Sequence, residues 1–450
     1  MPATRAPAAT YPVGDGPPEP VRPDPPASPP RLPGWPLLLM FGLVPLWWLL
    51  GGFYLGWSLF GAVLFAMLVV RGRVPLPPGT GLWLLFLALV VLSAIRLPSL
   101  VSLAPFALRL GFYLTALVVG VYVYTRVREG TDPARVLVPL CVFWLGLVAL
   151  GWLGVLAPRL ALTTPVELLL PAGLADHEYL RDLVHVATTE YRSRSVDPAY
   201  RPTAPFPYTN NYGSVYAMTL PCAVAFTMLR RRGVLRWAVL VSLPLSLAPA
   251  FLTLNRVMFA SLGVGLAVLG VRAALRGNVR VGLSVLGVLC AALLTNLFIP
   301  VTRLIGDRVA GSDTNADRFG LYAEVLRRIG DSPWLGYGAP VSADTVSAQE
   351  PIGTQGQLWM VLFSHGVPAL VCFLAWFVVA TVICARATGA AGQWLAVVPV
   401  ICLAQLPFYG MASPAVSVAC FAVAVPMALV AREATLRRDD SPAIAEAVPG

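Results

Sequence analysis

The chain has 450 residues, of which 57% are hydrophobic and only 12% charged, with a mean hydropathy of +0.74. A soluble domain carries about a quarter charged residues, so this composition excludes one. The net charge of +10 does not point to nucleic acid, because the basic residues, all of them Arg, sit between apolar runs and not on one polar surface.

Residues 1–33 are dominated by Pro with Ala, Asp and Arg, the composition of a disordered tail and too proline-rich for a signal peptide. From Trp35 onward, apolar runs long enough to cross a bilayer, about 20 residues each, recur about twelve times. They fall at 35–51, 53–71, 80–97, 102–125, 135–157, 209–229, 236–254, 257–275, 281–300, 357–384, 392–410 and 413–431. The tightest joints are Gly51-Gly52 and Asn255-Arg256. Arginines crowd alternate connections: Arg71 and Arg73, Arg126 to Arg135, Arg230 to Arg236, Arg272 to Arg280, Arg386, and Arg432 to Arg438. The positive-inside rule then predicts both termini in the cytoplasm and two long extracytoplasmic loops at 158–208 and 301–356. The expected fold is an all-α polytopic membrane protein of about 12 transmembrane helices. A domain over 34–432 lies between cytoplasmic tails at 1–33 and 433–450. No internal repeat is visible and the Arg230–Arg236 connection is short, which weighs against a two-halved transporter.

The seven cysteines lie within or at the edges of apolar runs and read as small buried side chains, not as a disulfide framework or a metal site. His177 and His185 share one loop, and His365 lies inside a span. No glycine-rich nucleotide loop is present, so no cofactor is expected.

Several polar residues stand out in chain order. Arg109 is the deepest charge, several residues into the fourth span; it either lines a groove or pairs across the bundle. The loop before residue 201 mixes both charges with Tyr179, Tyr191 and Tyr200, and either binds an extended ligand or packs as a lid. Arg201 opens a Pro-rich approach to Asn210 and Asn211, which are good helix N-caps. Arg256 is apolar-flanked on both sides, which fits either a functional charge or one snorkelling to the interface.

The stretch Asp317 to Gly330 reads as an amphipathic helix with Phe319, Tyr322, Leu326 and Ile329 on one stripe. Thr314 or Asn315 can cap it, Gly330 suits a left-handed stop, and Pro333 follows. Arg318 falls beside the stripe, with Glu324, Arg327 and Arg328 opposite. A cation in the first turn opposes the helix dipole, so Arg318 faces either an anion or a carboxylate such as Asp313 or Asp317. Gln355 sits in Gly353-Thr354-Gln355-Gly356-Gln357, running into the span that holds Gly366.

An arginine opening an amphipathic helix that ends in Asp331-Ser332-Pro333-Trp334-Leu335-Gly336-Tyr337-Gly338 resembles the outward loop of the O-antigen ligase/polymerase superfamily. Arg256 at a helix start, the approach to Asn210 and Asn211, and the residues before Gly366 are similar to that family in the same order. The resemblance implies a metal-independent glycosyltransferase that moves a glycan from a polyprenyl-diphosphate donor to an acceptor hydroxyl at the outer face of the plasma membrane. It implies that Arg256 and Arg318 grip the diphosphate; Asn210, Asn211, Arg201, Tyr322 and Arg109 stand beside them as candidate substrate contacts, and membrane lipids are expected partners. Two departures stand beside it. Ala260 replaces a usual Leu four residues after Arg256, and Gln355 occupies the register where the family places His. Glutamine hydrogen-bonds but cannot take a proton at neutral pH. Either no histidine base is obligatory here, or the base lies elsewhere, or activity is impaired. The expected reaction is polymerisation of a surface polysaccharide onto an acceptor glycan, with ligation to another lipid or protein as the alternative. A flippase would need charges along many spans, and a scaffold leaves Arg256 and Arg318 unexplained.

Overall fold

The computed structural model describes residues 31–171, 178–190, 200–298, 314–341, 352–411 and 413–439. The Pro-rich tail up to residue 30, much of the 301–356 loop and the stretch from residue 440 lie outside them, as do Asp313 and the side chain of Asp317.

Long apolar segments in lipid must satisfy their backbone groups internally, and the described residues accordingly fold almost entirely as helices. A broken pair, α1 (Trp35–Gly42) and α2 (Val44–Leu50), leads into α3 (Phe53–Arg71), α4 (Thr80–Ser93), α5 (Leu103–Arg128) and α6 (Val138–Leu156). Two minimal antiparallel strand pairs follow, β1 (Ala161–Leu162) with β2 (Val186–Ala187) and β3 (Thr189–Glu190) with β4 (Arg201–Pro202). Then come α7 (Thr209–Leu229), α8 (Val234–Leu245), α9 (Leu247–Leu252), α10 (Arg256–Leu275) and α11 (Val279–Phe298). The chain continues through α12 (Thr314–Ile329), α13 (Gln357–Cys384), α14 (Gly389–Leu395), α15 (Val398–Gln405) and α16 (Pro414–Asp439).

Among the described residues, nine helices are long and apolar enough to cross a membrane: α3, α5, α6, α7, the α8–α9 stretch, α10, α11, α13 and α16. The chain is a multi-pass membrane protein. Thr80–Arg96 and Gly389–Gln405 are apolar but shorter. The short joint at Gly51 forms as expected. Gly51 takes a left-handed φ of +75° at the end of α2, where a Cβ would come within 2.9 Å of the Val184 carbonyl oxygen.

Lipid tails are as apolar as leucine, so helices in a membrane associate through close packing at small residues. Gly120 of α5 lies against Cys420 of α16, and Gly265 of α10 against Ile401 of α15. Large aliphatic side chains such as Val70, Leu59, Leu283 and Leu297 remain exposed on the outer helices, where acyl chains would cover them. All seven cysteines are free, six of them buried and Cys290 exposed. At one end of the helices, arginines hold neighbouring segments together. Arg272 donates to the Ala385 carbonyl at 2.8 Å, Arg276 to the Ala387 carbonyl at 2.9 Å, and Arg71 pairs with Glu129.

The segment expected as one span at 357–384 is two arms. Gly366 breaks α13 with φ +84° and ψ 177°. Gln357 Nε2 donates to Tyr113 Oη at 2.6 Å, while the Phe373 ring lies 6.4 Å from the ring of the same tyrosine. A straight helix would hold positions 357 and 373 about 24 Å apart, too far for both to meet one side chain. The break frees backbone groups, and the Asp331-Ser332-Pro333-Trp334-Leu335-Gly336-Tyr337-Gly338 segment takes them up. Tyr337 N–H donates to the Phe363 carbonyl at 2.9 Å, Gly338 N–H to the Ser364 carbonyl at 2.8 Å, and Val367 N–H to the Pro333 carbonyl at 2.8 Å. Irregular backbone at this position is tolerated because protein groups satisfy it.

The amphipathic helix forms as α12, but its buried stripe differs from the expected one. Leu321 and Val325 are 2% and 1% exposed and pack on Leu362, Phe363 and Ile352, whereas Phe319 and Leu326 are 69% and 58% exposed. Tyr322 and Ile329 do face inward, in part. Glu324 is drawn to the buried side, accepting from Arg327 Nε at 2.8 Å and Arg328 Nε at 2.6 Å. Those guanidiniums hold its carboxyl well below the usual range, at about 2. Gly330 does not take a left-handed conformation; Gly336 and Gly338 do.

Candidate functional site

The site is built where the starts of α7 and α10 meet the loop between α15 and α16. Asn255-Arg256 forms the expected tight joint, with α10 beginning at Arg256. Leu254, just before it, has φ +51°, an uncommon conformation for a branched residue and one that clusters at functional positions. Asn255 makes no side-chain cap to its own helix. Its Nδ2 donates instead to the Thr209 carbonyl at 2.9 Å, and its Oδ1 accepts from the Tyr409 hydroxyl. That hydroxyl in turn accepts the Met258 N–H at 2.9 Å, so a phenol from a distant loop caps the first turn of α10. Gly213 leaves room for this arrangement, since a Cβ there would lie 2.4 Å from Asn255 Nδ2.

At the start of α7 the cap position is Tyr208, and neither Asn210 nor Asn211 caps the helix. The correction has a physical cause. Glu190 already meets the helix start, accepting from Thr209 N–H at 2.9 Å and Thr209 Oγ1 at 2.7 Å, so the local asparagines are not needed. Asn210 and Asn211 sit half-buried in the first turn, with Asn211 Nδ2 donating to Ser413 Oγ at 3.4 Å. Arg201, opposite Glu190 in the antiparallel β3–β4 pair, forms an ion pair with it at 3.1 Å.

The α12 side is locked by aromatic stacking. The Tyr322 and Trp359 rings lie 4.4 Å apart at 15°. Tyr322 Oη donates to the carbonyls of Gln355 (3.2 Å) and Pro407 (3.3 Å), and Trp359 Nε1 donates to Pro407 at 3.0 Å. The backbone of Gln357 donates to the Tyr409 carbonyl at 2.8 Å, and Gly356 approaches Pro407 so closely that a Cβ would stand 2.4 Å from its oxygen. Gln355 is therefore held beside α12 and the Tyr409 loop. Its own side chain is buried, with Nε2 donating to Thr354 Oγ1 at 3.4 Å.

Three guanidiniums, those of Arg318, Arg201 and Arg256, act electrostatically on the Tyr409 hydroxyl. Burial pushes the Tyr409 phenol up from its ordinary range, and the Met258 N–H and the charges of Arg318, Arg201 and Arg256 oppose that push. Burial likewise raises Tyr322, with Arg318 again opposing. Arg201, Arg256 and Arg318 thus come from β4, α10 and α12 and share one electrostatic neighbourhood. Glu190 pairs with Arg201, and forked guanidiniums of this kind hold phosphate oxygens well.

Arg109 belongs to a different neighbourhood. It acts electrostatically on His365, whose Nδ1 lies 2.7 Å from Ser93 Oγ, so His365 is a hydrogen-bonded buried side chain. Tyr409, Glu190 and Asn255 were not singled out from the sequence. The signal available was a Gln405-to-Tyr409 polar interruption in an otherwise apolar run. Among the described residues, no three His, Cys, Asp or Glu side chains gather as a metal site. No protein-family model matches this chain, and no curated protein matches it in sequence.

Proposed function

We propose that the chain is a membrane glycosyltransferase of the O-antigen ligase/polymerase type. It takes a glycan from a polyprenyl diphosphate and passes it to an acceptor hydroxyl. The observation that supports this most is that Arg201, Arg256 and Arg318 all act electrostatically on Tyr409, whose hydroxyl joins the start of α10 to Asn255 and, through it, to the start of α7. In the reaction, the acceptor oxygen attacks the anomeric carbon and the bond from that carbon to the diphosphate oxygen breaks. The diphosphate departs with the electron pair, and guanidiniums fixed in place stabilise the charge it gains. Gln355 orients the acceptor hydroxyl by hydrogen bonding, and the departing phosphate oxygens are the basic groups available for its proton.

In this reading α1–α2, α4 and α14–α15 also cross, giving about twelve spans. Both termini are cytoplasmic and the Tyr409 end faces outward, because arginines crowd the other end. Polymerisation of a surface polysaccharide is the preferred outcome, the acceptor being another glycan. The test is purified protein incubated with a synthetic polyprenyl-diphosphate oligosaccharide. Products longer by whole repeat units support polymerisation. Movement of the substrate across a vesicle membrane without new glycosidic bonds would refute the enzyme reading in favour of a flippase.

A further inference from the structure

A second basic site lies at the far end of α7, about 30 Å along its axis from Thr209. There a cavity of about 650 Å³ opens between the end of α7, the start of α8, the start of α11 and the stretch Thr388–Gly392. Arg231, Arg236 and Arg280 line it, and no Asp or Glu is among the described lining residues. Glu433, which lies outside the lining, accepts from Thr388 Oγ1 at 2.8 Å. The rest of the wall is largely apolar, including Met228, Leu229 and Leu395.

The placement of the arginines is costly unless something offsets it. Arg236 lies in the first turn of α8 and Arg280 in the first turn of α11, where a cation opposes the helix dipole. Arg236 is oriented, its Nε donating to the Thr227 carbonyl at 3.3 Å and its guanidinium 5.0 Å from the Trp237 ring. Three like charges then face one cavity, and a phosphate would reverse both penalties.

We propose that this cavity binds the phosphate of an anionic membrane lipid, with the arginines on the headgroup and the apolar wall on the first part of an acyl chain. A free phosphate ion offers the same charge-assisted hydrogen bonds, but it would leave the apolar wall unused. The site lies where membrane-spanning helices end, at the depth of lipid headgroups, and basic pockets between spans hold such headgroups. This site is independent of the Tyr409 cluster and of the glycan reading.

The test uses the full-length protein, purified in detergent and stripped of lipid, with binding followed by native mass spectrometry. Phosphatidylglycerol should bind at least tenfold more tightly than phosphatidylcholine. Arg231→Ala and Arg280→Ala, both at exposed positions, should each weaken phosphatidylglycerol about fivefold, and the triple variant with Arg236→Ala about 100-fold. Phosphatidylcholine, whose choline offsets the phosphate charge, should weaken less, so the preference between the two lipids should shrink in each variant. Ala390→Phe, which keeps the arginines and fills the cavity wall, should also weaken phosphatidylglycerol. Equal binding of the two lipids, or single arginine variants that bind phosphatidylglycerol as wild type does, would overturn the proposal. Inorganic phosphate that stabilises the protein against heat as strongly as phosphatidylglycerol at equal concentration would assign the site to a soluble anion and overturn it as well.

Discussion

Gly366→Ala is expected to separate the two arms of α13 from the segment docked on them. At φ +84° an alanine is strained by about 1–3 kcal/mol whatever its surroundings. Its Cβ would also lie 2.5 Å from the Trp334 oxygen, 2.6 Å from the Trp334 carbonyl carbon and 2.7 Å from the Pro333 oxygen. All three are backbone atoms, so no side chain can rotate away. Relief requires moving the 333–338 segment, which loosens the three hydrogen bonds that cap the break, each contributing about 1 kcal/mol. The sum is about 4–6 kcal/mol, a large share of the stability of many domains. Reversible unfolding in mixed micelles, read by tryptophan fluorescence, measures it. Gly263→Ala is the control, because a Cβ there meets nothing within 4 Å in α10 and should stabilise slightly, by about 0.5–1 kcal/mol. If Gly366→Ala unfolds within about 1 kcal/mol of wild type, the break and its clamp are not as described.

Tyr409→Phe leaves Met258 N–H and Asn255 Oδ1 without their buried partner, at about 1–3 kcal/mol for each orphaned group. A double-mutant cycle with Asn255→Ala should therefore be non-additive, and strict additivity would rule out the shared cap. For orientation, Cys290 is replaced by Ser and single cysteines are placed at Leu168 and Arg232. An impermeant thiol reagent should label Leu168→Cys in intact cells and Arg232→Cys only after lysis; the reverse pattern would invert the topology. For Glu324, the folded pKa lies below the ordinary value of 4.5, so its ion pairs stabilise fully above about pH 4.5 and are lost as pH falls through about 2. The stability gap between wild type and Glu324→Gln should hold from pH 7 to pH 5 and shrink below that, and a gap that widens on acidification would contradict the pairing.

Much of the fold was legible because it follows from local apolar length. Nine of the expected spans appear as helices long enough to cross, and the joints at Gly51-Gly52 and Asn255-Arg256 fall where they were read. What the sequence hid depends on partners distant in the chain. The asparagines at 210 and 211 are good caps in isolation, yet Glu190 meets the α7 start first. Phe319 and Leu326 fit a 3.6-residue stripe, but α12 lies on Leu362 and Phe363 along the neighbouring line of Leu321 and Val325. The run 357–384 is long and apolar enough to read as one span, and that length outweighs the local breaker signal of Ser364-His365-Gly366 and Pro368. Of the candidate site, Arg201, Arg256 and Arg318 all act electrostatically on Tyr409 and Tyr322 donates to the Gln355 carbonyl, while Arg109 acts on His365. Tyr409 stayed hidden because its partner Asn255 is 154 residues away.

The central claim is that Arg256 and Arg318 act on one diphosphate. The most direct measurement is the rate of transfer from a polyprenyl-diphosphate oligosaccharide by wild type, Arg256→Ala, Arg318→Ala and the double variant, at matched membrane levels. Losing one charge-assisted contact in the transition state costs about 2–4 kcal/mol, so each single variant should slow about 30- to 1,000-fold. Arg→Lys at either position keeps the charge, loses the fork and should recover only part of the rate. The double variant should lose less than the product of the two single losses, because both side chains serve the same group. Losses that multiply fully, or wild-type turnover in either alanine variant, would contradict a shared diphosphate site.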